Sequence, residues 1–238
     1  MQDTLEQALR TVLRVPVALT VAGRTDAGVH AIGQVAHCDV PSKAWAQQRD
    51  RLVRRLRGVL PADVAVRDVE EAHPDFDARF AALSRHYVYR LTDAPWGPSP
   101  LRRTDVVGWP RALDVAAMDA AAGRLLGEHD FAAFCRRPVP EASTVRRVLD
   151  AGWVDLGGGV LRFDIRASAF CHQMVRSIVG LMVAVGQGRK RAGDVAGIVR
   201  AGQRSGAGSP APPHGLCLWD VGYGETSSGA VSDRPMRL

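Results

Sequence analysis

Apolar residues recur at helical spacing in four stretches of the chain and alternate with polar ones in several others. Leu5, Leu9, Val12 and Leu13 form a stripe over residues 4–14, with Thr4 and Gln7 placed as a capping box, and predict a first helix. After Ser42 as N-cap, Trp45, Leu52, Val53 and Leu56 predict a second, whose other face carries Arg49, Arg51, Arg54 and Arg55. Val115, Met118, Ala122, Leu125 and Leu126 predict a third, stopped by Gly127. Val175, Ile178, Val179, Met182 and Val185 predict a fourth over residues 172–187, with Arg176 just off the buried stripe. Strands are predicted at 17–22, 32–38, 64–69, 86–91 and 216–221. In 86–91, Tyr87, Tyr89 and Leu91 share one face and His86, Val88 and Arg90 the other. Residues 145–156 and 160–167 flank Gly157, Gly158 and Gly159 as a hairpin, its second strand setting Leu161, Phe163 and Ile165 against Arg162, Asp164 and Arg166.

This order of elements predicts an α+β fold of two similar halves, each a mainly antiparallel sheet with helices on one face. A site is expected in the cleft between them. The N-terminal half covers residues 1–82 and the C-terminal half 83–223, with a Pro/Gly-rich connection at 94–110 and a Gly/Ser/Pro/Ala loop at 203–213. Residues 224–238 have the composition of a disordered tail.

At 238 residues the chain is long enough for one large domain or two small ones, and 46% hydrophobic with 24% charged residues is ordinary for a soluble protein. Lys+Arg is 31 against Asp+Glu 25, and the surplus of +6 suits a polyanionic partner. Lys43 and Lys190 are the only lysines, so the charge is nearly all arginine, as GC-rich coding would also produce. The four cysteines (Cys38, Cys135, Cys171, Cys217) include no CxxC pair. They signal neither a zinc ribbon nor a disulfide framework, and read as buried free thiols in a reducing compartment. No apolar run reaches the roughly 18 residues of a membrane span. The first residues lack the basic and apolar regions of an export signal, so the cytoplasm is expected.

The candidate chemistry lies in the loop between the first two strands, where Asp26 is bracketed by Gly23 and Gly28 and preceded by Arg24. Flanking glycines let a backbone turn sharply and present a carboxylate, and a nearby arginine favours its ionised form. An ionised, positioned aspartate serves nucleophilic or general-base chemistry. A turn-capping aspartate is the commoner role of such a residue, and both readings stay open on this string alone.

The string from Ala22 to Ala31, Ala-Gly-Arg-Thr-Asp-Ala-Gly-Val-His-Ala, resembles the signature of the tRNA pseudouridine synthase A family. Further likenesses follow in the family's order: Phe76 to Phe80 with Ser84 to Tyr89, His129 to Cys135, Phe170 to Gly180, and Gly215 to Leu218. The resemblance implies isomerisation of uridine to pseudouridine in the anticodon arm of tRNA, at tRNA positions 38–40, with Asp26 as catalytic carboxylate and no metal or organic cofactor. It implies that Tyr87 stacks on the flipped base, although a half-buried sheet residue fits Tyr87 as well, and that role suits Tyr89. It implies that Arg176 pairs with Asp26 and keeps it ionised, that Arg24 meets the RNA backbone or fills the space left by the base, and that Leu216 or Leu218 forms an apolar wall beneath uracil. Arginine groups at 49–57, 102–103, 136–137, 146–147 and 189–191 offer a track for tRNA. His30 and His172 are not at metal-ligand spacing and read as local hydrogen-bonding residues. A homodimer sharing one tRNA is also implied. Family members place a strand before the first helix, so one strand fewer is expected here, and with it the alternative of a catalytically impaired RNA-binding relative. An aspartate-dependent hydrolase or phosphotransferase acting on a small substrate is the rival from another class, and it predicts a metal-binding acid cluster or a phosphate-cradling glycine loop joined to a helix.

Overall fold

The computed structural model describes residues 1–136 and 142–224. In chain order its elements are α1 (Gln2–Leu13), β1 (Thr20–Val21), β2 (His30–Ala31), β3 (Ala36–His37), α2 (Ser42–Gln48), α3 (Leu52–Val59), β4 (Ser84–Thr92) and β5 (Val107–Gly108). There follow α4 (Val115–Ala122), β6 (Gly127–Asp130), β7 (Val145–Asp155), β8 (Val160–Ala167), α5 (Met174–Gly186), α6 (Asp194–Ala201), α7 (Arg204–Ala207) and β9 (Leu216–Gly222). The mixed, mainly antiparallel α+β class expected from the sequence is the class observed. The described residues divide into two compact units, one of residues 1–23, 35–82 and 223–224, the other of residues 24–34 and 83–222. The Asp26 loop therefore groups with the second unit, while β1 and β3 on either side of it group with the first.

In the first unit the stripe of α1 faces a core of Ala8, Leu9, Val12, Leu13, Val17, Leu52 and Leu56, with Trp45, Val66 and Val69 partly buried against it. The helix starts two residues earlier than predicted, so Thr4 is not its cap; Glu6 instead accepts a hydrogen bond from the Leu19 amide at 3.0 Å and ties the following segment down. The second predicted helix is split into α2 and α3 by a 3-10 turn at Arg49–Arg51. Strands β1 and β3 form a short antiparallel ladder, Thr20 opposite His37 and Val21 opposite Ala36. No strand forms at 64–69. Val66 and Val69 do bury apolar surface there, but a strand also needs a backbone partner, which alternation along one segment does not supply.

The second unit is built on a seven-stranded sheet in the order β2-β9-β4-β8-β7-β6, with β5 also on β4. Its β2–β9 and β4–β5 pairs are parallel and the others antiparallel. The predicted hairpin is present: Gly157, Gly158 and Gly159 all have positive φ and turn β7 into β8. Register sets Tyr87 opposite Ile165, Tyr89 opposite Phe163 and Leu91 opposite Leu161, and Trp153 stacks on Phe163 with ring centroids 5.1 Å apart. α5 is buried along almost its whole length, which its run of Val, Ile, Leu, Met and Ala makes favourable.

Several boundaries differ from the sequence reading. α4 gives way to a 3-10 turn at Gly123–Leu125, and Gly127, at φ 95, opens β6 rather than stopping the helix. β6 and α6 were not predicted, and the loop foreseen at 203–213 contains α7. None of the four cysteines forms a disulfide; Cys135 and Cys217 are buried as expected, whereas Cys38 and Cys171 are only partly buried. Beyond Gly224 the predicted tail lies outside the described residues.

Phe163 has no exposed surface and carries the stack with Trp153. Phe163→Ala is expected to cost about 3–5 kcal/mol, read as a lower urea midpoint; an unchanged midpoint would contradict this account of the core.

Candidate active site

The Asp26 loop owes its shape to one glycine more than the other. The Val29 amide donates to the Asp26 carbonyl at 3.1 Å, and Gly28 closes this turn at φ 80, with Pro213 so near that an added Cβ would lie 3.2 Å from its Cγ. Gly23 has no positive φ and open space around it, so it is not required in the same way. The loop then enters β2, where the Ile32 and Gly33 amides both donate to the Leu218 carbonyl, at 2.9 and 3.2 Å. Gly33 is obligatory at that point: a Cβ there would fall 2.2 Å from the Trp219 carbonyl oxygen.

Asp26 receives two side chains, one from the first turn of α5 and one from the segment just before it. Arg176 Nη1 donates to Oδ2 at 2.9 Å, and His172 Nε2 lies 3.2 Å from Oδ1. Arg176 is itself held, its Nε donating to the Ala211 carbonyl at 2.7 Å while the Ala211 amide donates to the Arg176 carbonyl at 2.9 Å. This clasp needs the 209–211 segment to lie tight on α5. Gly180 makes room for it, since a Cβ on that residue would meet the Ser209 carbonyl oxygen at 2.1 Å. The guanidinium is thus fixed from behind before it meets the carboxylate, so little rotamer freedom remains to be lost in the pair.

His172 does not lie in the helix, contrary to the predicted span of 172–187. Gln173 adopts the left-handed conformation, φ 65 and ψ 3, and α5 begins only at Met174. A non-glycine residue there is uncommon and costs on the order of 1 kcal/mol. Its effect is to leave His172 outside the first turn, where its carbonyl accepts from the Arg136 amide at 3.0 Å. The Cys171 thiol beside it and burial push the Cys135 thiol above its ordinary range.

Tyr87 stands on β4 with Leu218 opposite it on one side and Ile165 on the other. Phe170 packs edge-on against its ring, with centroids 5.1 Å apart. Burial pushes the Tyr87 phenol up to about 12; the Arg85 charge opposes this and the Asp26 charge reinforces it. Tyr89 is more deeply buried and its hydroxyl donates to the Pro212 carbonyl at 2.9 Å. Leu216 is buried opposite Tyr89, whereas Leu218 is the leucine opposite Tyr87. Arg24 is exposed and makes no hydrogen bond or ion pair with the described residues; the cation on Asp26 is Arg176.

The predicted side chains of Asp26, Arg176, Tyr87 and Leu218 all belong to the second unit, as do Leu216, which pairs with Tyr89, and Arg24, which makes no ion pair with Asp26. His172 and Phe170 are the residues that the site adds. His30 is a local hydrogen-bonding residue, its Nε2 lying 2.7 Å from the Thr104 carbonyl oxygen. Of the arginine groups, those at 49–57 are exposed, Arg102 is bound to Asp105 at 2.7 Å, and Arg137 lies outside the described residues. Among the described residues no group of three His, Cys, Asp or Glu side chains is placed to hold a metal ion, and no helix is long and apolar enough to cross a membrane.

A family profile described as tRNA pseudouridine synthase matches residues 121–224. A relative from Frankia casuarinae named tRNA pseudouridine synthase A is 54% identical over 223 residues, covering 93% of this chain and 80% of the relative. Relatives of the same name from Corynebacterium glutamicum and Mycobacterium leprae are 48% and 43% identical, covering 93% and 98% of this chain and 80% and 86% of their own lengths. The chain belongs to the tRNA pseudouridine synthase A family, as its motifs implied, and the family is one of isomerases.

A neutral phenol favoured by burial contributes stability that is whole below about pH 10 and is lost as pH rises through about 12. The ultraviolet difference between the parent and Tyr87→Phe is accordingly expected to show no phenolate band at pH 10.5. A full tyrosinate signal at that pH would mean that Tyr87 is not packed as described.

Proposed function

We propose that this chain converts uridine to pseudouridine in the anticodon arm of tRNA, with Asp26 as the catalytic carboxylate. The observation that carries the reading is the Asp26 carboxylate held by Arg176, in a chain of this family. The reaction breaks the C1′–N1 glycosidic bond, turns the uracil and rejoins it to C1′ through C5; C5 then gives up its proton, and N1 carries one in the product. Atoms are conserved, and no redox partner is required. The carboxylate serves this either by attacking C1′ or by assisting departure of uracil along a glycal path with loss of the C2′ proton. Both need an unshared lone pair of the carboxylate to meet the ribose while the group stays oriented, and a carboxylate oxygen that accepts one contact keeps a second lone pair for this.

Tyr87 and the apolar surface of Leu218 and Phe170 suit the flat face of an extruded uracil, and Leu216 extends the same face of β9. Arg24, exposed in the same loop as Asp26, is suited to the RNA backbone or to the gap left by the flipped base. The exposed arginines give a surface for tRNA phosphates, with affinity that falls as salt rises. A homodimer acting in the cytoplasm, without metal or organic cofactor, completes the proposal. A non-catalytic RNA-binding relative is disfavoured by the intact Asp26–Arg176 pair. A metal-dependent hydrolase is disfavoured by the lack of an acid cluster among the described residues.

The test is pseudouridine mapping on unmodified tRNA transcripts in EDTA, with the parent and Asp26→Ala. Signal confined to the anticodon arm is expected from the parent, and a rate lower by more than about a thousandfold from the variant, with tRNA binding retained. Pseudouridine formed by Asp26→Ala at the parental rate would overturn the role of the carboxylate. Signal outside the anticodon arm would overturn the proposed specificity.

A further inference from the structure

The two oxygens of Asp26 are not equivalent. Oδ2 is engaged by Arg176, whose side chain is 15% exposed and whose Nε is committed to the Ala211 carbonyl. Oδ1 faces His172 Nε2 at 3.2 Å, and the imidazole is 42% exposed. One donor alone leaves a carboxylate free to swing about its Cβ–Cγ bond. A second group set against the other oxygen, here an imidazole nitrogen at ion-pair distance and a small ring rotation from a hydrogen bond, restrains its plane. His172 can act in this way because its backbone is pinned: Gln173 turns left-handed just after it, and its carbonyl accepts from Arg136. That turn carries a conformational cost, and the side chain it delivers reaches the carboxylate.

We infer that His172 is a positioning residue for the reaction, donating its Nε2–H to Oδ1 of Asp26 and so setting the orientation in which the carboxylate meets the ribose. This rests on the proposed catalytic role of Asp26. Nothing in it requires the histidine to touch the nucleoside, and the Nε2-protonated tautomer suffices. An orienting partner of this kind acts on the rate of the bound complex rather than on RNA affinity, because the misplacement it prevents is that of a reacting group.

The test compares the parent, His172→Ala, His172→Gln and Asp26→Ala on one tRNA transcript, measuring kcat and KM, with and without added imidazole. His172→Ala is expected to lower kcat by about 10–100-fold with KM within about twofold of the parent. Imidazole is expected to restore much of the loss, since the site it would occupy is open to solvent, and His172→Gln, which keeps an N–H donor, is expected to lie between. A merely structural histidine would give no imidazole rescue, and that result overturns the inference. So does an unchanged kcat, or a raised KM with kcat intact, which would make His172 an RNA contact. Activity in Asp26→Ala would instead sink the functional reading beneath it, whereas a silent Asp26→Ala beside a fully active His172→Ala sinks this inference alone.

Discussion

The ion pair between Asp26 and Arg176 joins residues 150 positions apart, and the shape of the site depends on it. Both partners are mostly buried, so each would be left as a poorly solvated charge without the other, a loss on the order of 2–3 kcal/mol. What makes the pair possible is packing rather than charge. α5 is driven into the core by its apolar residues, Gly180 lets the 209–211 segment close on it, and the Ala211 carbonyl then aims the guanidinium. The carboxylate arrives from the other direction on a loop fastened to the Leu218 carbonyl through Ile32 and Gly33. Glycine is needed at Gly33 and Gly180 because backbone oxygens occupy the space a side chain would take, and those oxygens cannot move without dismantling a strand edge or the clasp.

The sheet contributes a different constraint. β4 lies between β8 and β9, so Tyr87 is fixed by partners on both sides and cannot be re-aimed by a change on either alone. Its burial keeps the phenol neutral across the working range of pH. On the opposite, wetter face, Asp164 takes His86 at 3.0 Å and Arg162 at 2.6 Å. These contacts are modest in energy and satisfy groups that the sheet leaves half-buried.

Much of this was legible in the chain. Helical spacing located α1, α4 and α5, and alternation located β4 and the β7–β8 hairpin, because in those segments local period and tertiary burial agree. Where they part, the reading failed. Val66 and Val69 bury surface without pairing, and the residues of β6, Gly-Glu-His-Asp, pair without an apolar face. α6 carried Val195, Ile198 and Val199 at helical spacing and was visible in principle. In the site, Asp26, Arg176 and Tyr87 came from motif resemblance; no spacing argument relates residues 26 and 176. His172 was missed as a partner of Asp26 because the apolar stripe, extended by one turn, drew it into a helix. Only the left-handed backbone of Gln173 excludes it, and glutamine announces no such turn. The Ala211 carbonyl, a backbone group, has no signature at all.

The proposed chemistry requires Arg176 to hold Asp26 in its reactive position. The most direct measurement is the single-turnover rate of pseudouridine formation by Arg176→Met, at saturating enzyme so that binding drops out, with circular dichroism to confirm the fold. A folded variant slower by about a hundredfold or more is the predicted result, in line with losing a preorganised charge at a reacting group. A folded variant that turns over at the parental rate would contradict it, and Asp26 would then owe its position to something other than this pair.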